Sequence, residues 1–210
     1  MTTTGPAAPG RRDRNKADKR QRIFAAADRL FSERGYEAVT TQQIADAADV
    51  GTGTVFRYFP TKADLLVEVM SGRLRAGAAR AQRLAENGAD PLDAILALVA
   101  PLVRASRQHP ENTSVFQREV LFGSPGTHDS PGTHERRIQL VANYEATIER
   151  ILTHYHPDTA PDRRRDAAHV IYALIYVDIA RAARTPGAHR RLGATLRHDA
   201  ELVLTALLGG

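Results

Sequence analysis

Residues 40–66 read TTQQIADAADVGTGTVFRYFPTKADLL, and this stretch decides the fold. A short helix beginning near Thr41 ends before a tight turn at residues 50–53. A second helix follows, in which Val55 and Phe59 are four residues apart and therefore lie on one face. Two short helices joined by a tight turn are typical of a helix-turn-helix unit.

The letters GTGT in this stretch also suit a phosphate-binding nucleotide loop. Such loops follow a β-strand, and the P-loop continues into Gly-Lys-Ser/Thr. Here a helical piece at 41–48 precedes Gly51, and no Gly-Lys-Ser/Thr follows. The residues favour a recognition helix in the major groove of DNA, where Gly53 lets the backbone approach a phosphate or base edge and Thr52 and Thr54 supply hydroxyls.

The N-terminal part of the 210-residue chain is basic. The chain has 29 Lys and Arg against 24 Asp and Glu, a formal net charge of +5. Near the N-terminus, positive side chains crowd together at Arg11, Arg12, Arg14, Lys16, Lys19, Arg20 and Arg22. Such a cluster is typical of a polyanion-binding protein, although a solvated tail has the same composition.

Several classes of protein are disfavoured by the composition. The chain contains no cysteine, which excludes disulfides and zinc–thiolate sites. No apolar run approaches the ~20 residues of a membrane helix, and the N-terminus lacks the apolar stretch of a signal peptide. We therefore expect a cytoplasmic protein without a membrane partner.

The sequence gives no support for an enzyme or a metal protein. No Ser/His/Asp set or carboxylate pair occurs in a recognisable catalytic motif. His154, His156 and Asp158 are metal-ligand types, but metal sites need three or four converging ligands. We expect no catalysis, no metal and no cofactor.

The remaining segments also have helical patterns, and none shows sustained period-two alternation. The predicted fold is therefore all-α. Residues 1–16 contain Gly and Pro but almost no bulky apolar side chain, which predicts a flexible arm. Gly35 is the expected stop of the first helix. The sequence SPGTH occurs at 124–128 and again at 130–134, and a duplication in a polar connector explains it better than a binding loop.

Residues 19–66 resemble the DNA-binding domain of the TetR family of transcriptional regulators. The resemblance is carried by Gly-Tyr-Glu-Ala-Val-Thr at 35–40, Gly-Thr-Val-Phe-Arg-Tyr-Phe at 53–59 and Pro-Thr-Lys at 60–62. It covers under a quarter of the chain, but the motif is long and ordered.

Two positions depart from the family pattern. Asp49 stands where glycine is common, and Asp tolerates the left-handed conformation. Gly51 stands where a serine cap is usual. A phosphate contact at this place would then come from the Gly51 backbone N–H or from Thr52.

The resemblance implies a role for each polar residue of this domain. Thr41 would cap its helix against a backbone phosphate, and Lys62 would meet a phosphate at the start of the next helix. Arg57 and Gln42 are the candidates for reading base edges, since Arg pairs with guanine and Gln with adenine. The predicted DNA-contact residues are Thr41, Gln42, Gly51, Thr52, Gly53, Thr54, Phe56, Arg57, Tyr58 and Lys62.

The aromatic residues of the second helix are expected to have different roles. In the family, the positions of Phe56 and Tyr58 touch the sugar-phosphate edge of DNA. Phe56 has no hydroxyl and would contact DNA by packing alone. Tyr58 also suits a half-buried place in the core, whereas Val55 and Phe59 are expected to be core residues.

The resemblance also implies the organisation of the whole chain. After the arm at 1–16, we expect a three-helix helix-turn-helix domain at 17–62 and a helical ligand-binding and dimerisation domain at 63–210. The last two helices, at 161–184 and about 189–208, are apolar on nearly all sides. They would form the interface of a homodimer, which would bind a palindromic operator.

In the family, the middle helices enclose a pocket for a small-molecule effector. Aromatic and polar side chains that suit such a pocket are Phe116, Tyr144, His169, Tyr172 and Tyr176. The predicted function is a ligand-responsive repressor that the effector releases from double-stranded operator DNA. A DNA-binding regulator controlled by a protein partner, or only by its own concentration, is the alternative.

Overall fold

The computed structural model describes residues 10–123, 133–185 and 187–208. Within these residues the chain is helical, with one 3₁₀ turn at Ala188–Arg190 and no strand, which confirms the all-α prediction. The α-helices are α1 (Arg11–Ala38), α2 (Thr41–Ala47), α3 (Thr52–Tyr58), α4 (Lys62–Glu86), α5 (Pro91–Gln108), α6 (Pro110–Phe122), α7 (Thr133–Tyr155), α8 (Pro161–Arg184) and α9 (Leu192–Leu208). The first SPGTH copy and most of the second lie outside the described residues.

Helix α1 begins at Arg11, so the prediction of a flexible arm was wrong over residues 11–16. Arg and Lys are good helix formers, and no Gly or Pro interrupts the chain between Gly10 and Gly35. The Arg14 N–H donates to the Gly10 carbonyl at 3.1 Å and closes the first turn. The basic cluster is therefore carried on a helix, while residues 1–9 of the predicted arm lie outside the described residues.

The regular path of α1 ends at Gly35, as the sequence predicts. Gly35 has φ of 79°, in the left-handed region that favours glycine, and one further turn reaches Ala38. The side chains of His109 and Glu111, at the start of α6, occupy the space where a Cβ at Gly35 would lie. The end of α1 and the start of α6 are thus in close contact.

A buried hydrogen bond joins the same two helices. Asn112 in α6 is almost fully buried and donates its side-chain N–H to the Phe31 carbonyl of α1 at 2.8 Å. The core is continuous from α1 through α9, with Phe31, Leu66 and Ile148 fully buried. The helix-turn-helix is therefore packed firmly onto the helices that follow it.

Helix α4 packs against α1 and also against α5, α6 and α7. Thr61 and Asp64 form a capping box at its start, with Thr61 Oγ1 accepting from the Asp64 N–H at 3.0 Å. Arg73, near its middle, pairs with Asp28 of α1 at 2.6 Å and also donates to the Asp28 carbonyl. Among the described residues, no helix is long and apolar enough to cross a membrane.

The packing of α8 on α9 buries one carboxylic acid. Asp178 is 8% exposed, and burial raises its pKa to about 6. A hydrogen bond with Asp199 and the charge of Asp199 also raise this pKa, while Arg181, 3.6 Å away, opposes the rise. Because the folded pKa exceeds the unfolded value, the protonated group stabilises the fold at low pH, and this contribution is lost as the pH rises through 6.

We expect Asp178→Asn to be more stable than the unsubstituted protein above pH 6, by on the order of 1 kcal/mol, because the amide carries no charge to bury. Near pH 3.5, below both the folded and the unfolded pKa of Asp178, the difference should be small. Urea unfolding at pH 3.5 and pH 8 measures both values. Asp166→Asn, on the exposed side of α8, is the matched control. A stability difference that does not change with pH would contradict the assignment.

Candidate nucleic-acid interface and adjoining cavity

The turn between α2 and α3 is held by an arginine of α1. Asp49 has φ of 52°, the left-handed conformation that its position requires. Arg22 donates Nη1 to the Ala48 carbonyl at 3.0 Å and to the Asp49 carbonyl at 3.3 Å, and it pairs with the Asp49 carboxylate. The three helices are thereby fixed relative to one another.

Helix α3 has one buried face and one exposed face. Val55 and Phe59 are 1% and 5% exposed, which confirms their prediction as core residues. Tyr58 is half-buried and packs against this core. Phe56 is 47% exposed, and the Arg57 side chain also faces solvent. The exposed face of α3 therefore presents an apolar ring next to a positive charge.

The first turn of α3 is made from backbone groups and hydroxyls. Gly51 is its N-cap, as predicted, and accepts the Thr54 N–H at 2.8 Å without a side-chain cap. Gly51 and Gly53 are exposed, while Thr52 and Thr54 are half-buried. Apart from its own stretch of helix, no protein atom lies within 4 Å of where a Cβ on Gly53 would be, so packing does not require glycine there.

Thr40 caps helix α2, and the prediction that Thr41 does so was wrong. Thr40 Oγ1 accepts from the Gln43 N–H at 3.2 Å, and the Gln43 side chain accepts from the Thr40 N–H at 2.9 Å. This capping box needs a Gln three residues after the cap, which only Thr40 has. Thr41 is the first residue of α2 and is partly exposed.

Gln42 joins the two helices of the unit. Thr52 donates its hydroxyl to Gln42 Oε1 at 2.5 Å, and Gln42 Nε2 donates to Asp46 Oδ1 at 2.7 Å. Both ends of the Gln42 amide are therefore engaged within the protein, and so is the Thr52 hydroxyl. Reading an adenine through Gln42 would require these hydrogen bonds to rearrange.

Lys62 is also engaged by the protein. Its ammonium donates to the Tyr36 and Val39 carbonyls, both at 2.8 Å, and lies 4.0 Å from the centre of the Tyr36 ring. Burial lowers the pKa of Lys62. An ammonium has three N–H donors, so one remains for a phosphate.

Arg57 is the base-reading candidate that the protein leaves available. Its guanidinium lies 5.6 Å from the centre of the Tyr58 ring, in a cation–π contact. Among the described residues it has no acidic partner. An exposed guanidinium in the last turn of α3 can present its donors to a base edge or to a phosphate.

A cavity lies among the helices that pack against α4. Of the five predicted pocket residues, Phe116, Tyr144, Tyr172 and Tyr176 line it. His169 does not: its side chain is 69% exposed and pairs with Glu145 at 2.9 Å, so its prediction as a pocket residue was wrong. Its place on the outer side of α8 explains the error. Leu74, Leu102, Gln117, Val120, Leu140, Val141 and Ile175 complete the lining, and helical periodicity alone did not distinguish them from other core residues.

The polar groups of this cavity are mostly satisfied by the protein. Tyr144 donates its hydroxyl to the Leu98 carbonyl at 3.0 Å. Tyr176 donates to the Gln117 carbonyl, and the Gln117 side chain donates back to the Tyr176 carbonyl. Burial and the nearby Glu145 carboxylate raise the pKa of Tyr172 to about 12, and no described group hydrogen-bonds its hydroxyl. The lining contains no charged residue, which suits an apolar ligand.

Among the described residues, no group of three His, Cys, Asp or Glu side chains is placed to hold a metal. The cavity volume is ≈ 30 Å³, far below the roughly 300–1,000 Å³ of ordinary small-molecule sites. The lining residues therefore leave little space between them. A larger ligand would have to part the helices that form it.

Comparison with known proteins points to regulators of transcription. The model of the family described as "Bacterial regulatory proteins, tetR family" matches residues 23–69. The repressor KstR of Mycobacterium tuberculosis is 33% identical over 135 residues, which are 62% of this chain and 61% of KstR. The regulator RutR of Escherichia coli K12 is 31% identical over 125 residues, 60% of this chain and 58% of RutR. The chain spans about half to three-fifths of the length of the curated relatives it matches.

Solved structures extend the similarity over most of the chain. FadR of Thermus thermophilus, a TetR family transcriptional repressor in complex with lauroyl-CoA, is 26% identical, with a TM-score of 0.68 over 90% of this chain and 95% of that one. A TetR transcriptional regulator from Rhodococcus sp. RHA1 shares the fold, with a TM-score of 0.64 at 18% identity. These proteins are regulators, not enzymes, in agreement with the sequence-based prediction.

Gly53 provides a test of the interface that separates binding from folding. We expect Gly53→Ala to leave the free energy of unfolding unchanged or raise it by up to about 1 kcal/mol, because alanine favours a helix and the space is open. DNA affinity should fall at least tenfold if the DNA backbone approaches this position. Fluorescence anisotropy with a DNA sequence selected by the protein measures the second effect.

Gly193→Ala is the matched control, because it makes the same change near the start of α9, where the nearest atom would be 3.8 Å away. It should leave DNA binding unchanged. Equal DNA affinity for Gly53→Ala and the unsubstituted protein would remove Gly53 from the interface.

Proposed function

Since the chain belongs to the TetR family of transcriptional regulators, we propose that it represses transcription as a homodimer bound to a palindromic operator. A small-molecule effector whose apolar portion enters the cavity releases it from the DNA. The observation that carries this proposal is that Phe56 and Arg57 are exposed on the outer face of α3, where the space beside Gly53 is also empty.

In this proposal, α3 lies in the major groove of the operator. Arg57 reads a guanine, because its guanidinium can donate two parallel hydrogen bonds to one base. Phe56 packs on the sugar edge or on a thymine methyl group. The DNA phosphates are contacted by the main chain at Gly51 and Gly53, by the side chains of Thr41, Thr54 and Tyr58, and by the remaining N–H of Lys62. Thr52 and Gln42 are hydrogen-bonded to each other.

The exposed apolar residues of the last two helices support a homodimer. Val170 and Val177 in α8 are 37% and 50% exposed, and Leu202 in α9 is 55% exposed. A second copy that packs α8 and α9 against the same helices removes these side chains from water. A twofold dimer carries two copies of α3, which fit two inverted half-sites of DNA.

An acyl thioester is the effector class that we propose. The Thermus thermophilus FadR structure contains lauroyl-CoA. The uncharged lining of the present cavity suits the acyl chain of such a compound, and the Tyr172 hydroxyl offers a polar group for its carbonyl. The charged nucleotide portion would remain outside.

Binding must change the arrangement of the helices, because small-molecule sites usually have volumes of roughly 300–1,000 Å³ and this cavity has ≈ 30 Å³. Parting its walls moves Leu74 and therefore α4, whose first residue is Lys62. It also moves α6, whose Asn112 holds α1. Because the effector fits only the expanded arrangement, release from DNA follows if that arrangement binds DNA less tightly than the present one does.

Selection of bound sequences from random DNA tests the operator proposal. We expect a palindrome with half-sites about one helical turn or more apart. Arg57→Ala should weaken binding to the selected sequence by roughly 1–3 kcal/mol and binding to random DNA much less, because a base contact is lost. Arg163→Ala, at an exposed position of α8, should change neither. If no palindrome emerges, the dimeric repressor is excluded, and equal losses on both DNAs would refute base reading by Arg57.

A series of acyl-CoA thioesters of increasing chain length tests the effector proposal. Anisotropy of labelled operator should report release by the long-chain compounds, whereas free coenzyme A should have no effect. Val120→Phe, which adds bulk to the cavity wall, should weaken this response at least tenfold without changing operator affinity. Val103→Phe, outside the cavity lining, is the matched control. Release that is equally efficient in both variants would place the effector elsewhere.

A further inference from the structure

A second concave surface lies on the outer side of α4 and α5. This groove has a volume of ≈ 970 Å³ and an apolar floor that includes Ala76, Ala100 and Pro101. Its rims carry the arginines Arg80, Arg83 and Arg104. None of the functions assigned above uses this surface.

The groove is separate from the effector cavity. Gly77 of α4 packs so closely on α5 that a Cβ there would lie 2.6 Å from the Leu98 carbonyl oxygen. Leu74 and Leu102 face the cavity, whereas Arg73 and Pro101, their neighbours in sequence, face the groove. One ligand cannot occupy both sites without passing between two closely packed helices.

The groove has an excess of unpaired positive charge. Arg73 at its edge is paired with Asp28, and the acidic residue in its lining, Asp93, is paired with Arg197. Among the described residues, Arg80, Arg83 and Arg104 have neither an acidic partner nor a hydrogen-bond acceptor. All three side chains are exposed. A partner with carboxylates would complete their interactions.

The unpaired arginines lie toward opposite ends of the groove, with Arg80 and Arg83 on one side and Arg104 on the other. Helices α4 and α5 are consecutive and joined by a short connection, and Gly77 packs against Leu98 and Pro101. Arg104 therefore lies near the level of residue 74, about 10 Å along the groove from Arg80 at 1.5 Å per residue. Two acidic residues seven apart on a helix have the same separation.

We propose that this groove binds an amphipathic helix of a protein partner, whose apolar strip lies on the floor and whose acidic flanks pair with Arg80, Arg83 and Arg104. A groove between two helices with small residues in its floor lets a third helix approach closely. DNA would use the arginines but leave the apolar floor uncovered. A nucleotide would find no aromatic ring in the lining on which to stack.

A synthetic peptide tests this proposal on the full chain. The probe is a helix of about 18 residues, roughly 27 Å long, with Leu and Ala on one face and Glu residues seven apart on both flanks. A shuffled peptide of the same composition lacks the apolar face. Fluorescence anisotropy should give binding of the amphipathic peptide at least tenfold tighter than binding of the shuffled one.

Variants locate the site of binding. Arg80→Glu combined with Arg104→Glu should weaken binding of the amphipathic peptide at least tenfold. Arg163→Glu combined with Arg165→Glu makes the same charge change on exposed positions of α8 and should have little effect. Ala100→Gln, which adds uncharged bulk to the floor, should also weaken binding. Circular dichroism verifies that each variant is folded.

Three outcomes would overturn the proposal. If both double variants lost the same peptide affinity, or if both peptides bound equally well, the binding would reflect only general attraction between unlike charges. Binding to phosphatidylglycerol vesicles that depends on Arg80 and Arg104, without peptide binding, would assign the groove to lipid. Self-association beyond the dimer that depends on the same arginines would assign it to a second copy of the chain.

Discussion

The structure depends on one continuous helix, α4, which holds the helix-turn-helix and also forms a wall of the cavity. At its start, the Lys62 ammonium binds the carbonyls that end α1, and near its middle the Arg73 guanidinium binds Asp28. These two contacts fix α4 to α1 at points eleven residues apart. A shift of α4 therefore carries the helix-turn-helix with it or breaks charge-assisted hydrogen bonds, which are stronger than neutral ones.

The helix-turn-helix divides its polar residues between holding itself together and facing outward. Arg22 fixes the turn at Asp49, while Thr52 and Gln42 join α3 to α2. Arg57 is left with an exposed guanidinium and a cation–π contact to its neighbour. Rigid support beneath an available side chain reduces the ordering cost of DNA binding, since the surrounding groups are already in place.

The fold could be predicted largely from the sequence, because periodic apolar residues, caps and glycine stops are local signals. Gly35 and Val55 are examples, since each depends on its own stretch of chain. Predictions were wrong where the side chain's contacts lie far away in sequence, or where two neighbouring residues suit the same role, as Thr40 and Thr41 do for the cap of α2. His169 has the chemistry of a pocket residue, but only the packing of α8 determines that it faces Glu145 and solvent. The engagement of Lys62 by carbonyls at positions 36 and 39 depends likewise on how α4 meets α1.

Successive residues of α4 face the two proposed binding surfaces, since Leu74 lines the cavity and Arg73 borders the groove. An effector and a partner helix would therefore act on the same helix and on the same equilibrium between arrangements. If both prefer the arrangement that releases DNA, each raises the affinity of the other by the same factor, because thermodynamic coupling is reciprocal. If they prefer opposite arrangements, the partner would retain the protein on DNA until the effector concentration rises. The sign of this coupling follows from whether parting the cavity walls widens or narrows the space between Arg80 and Arg104.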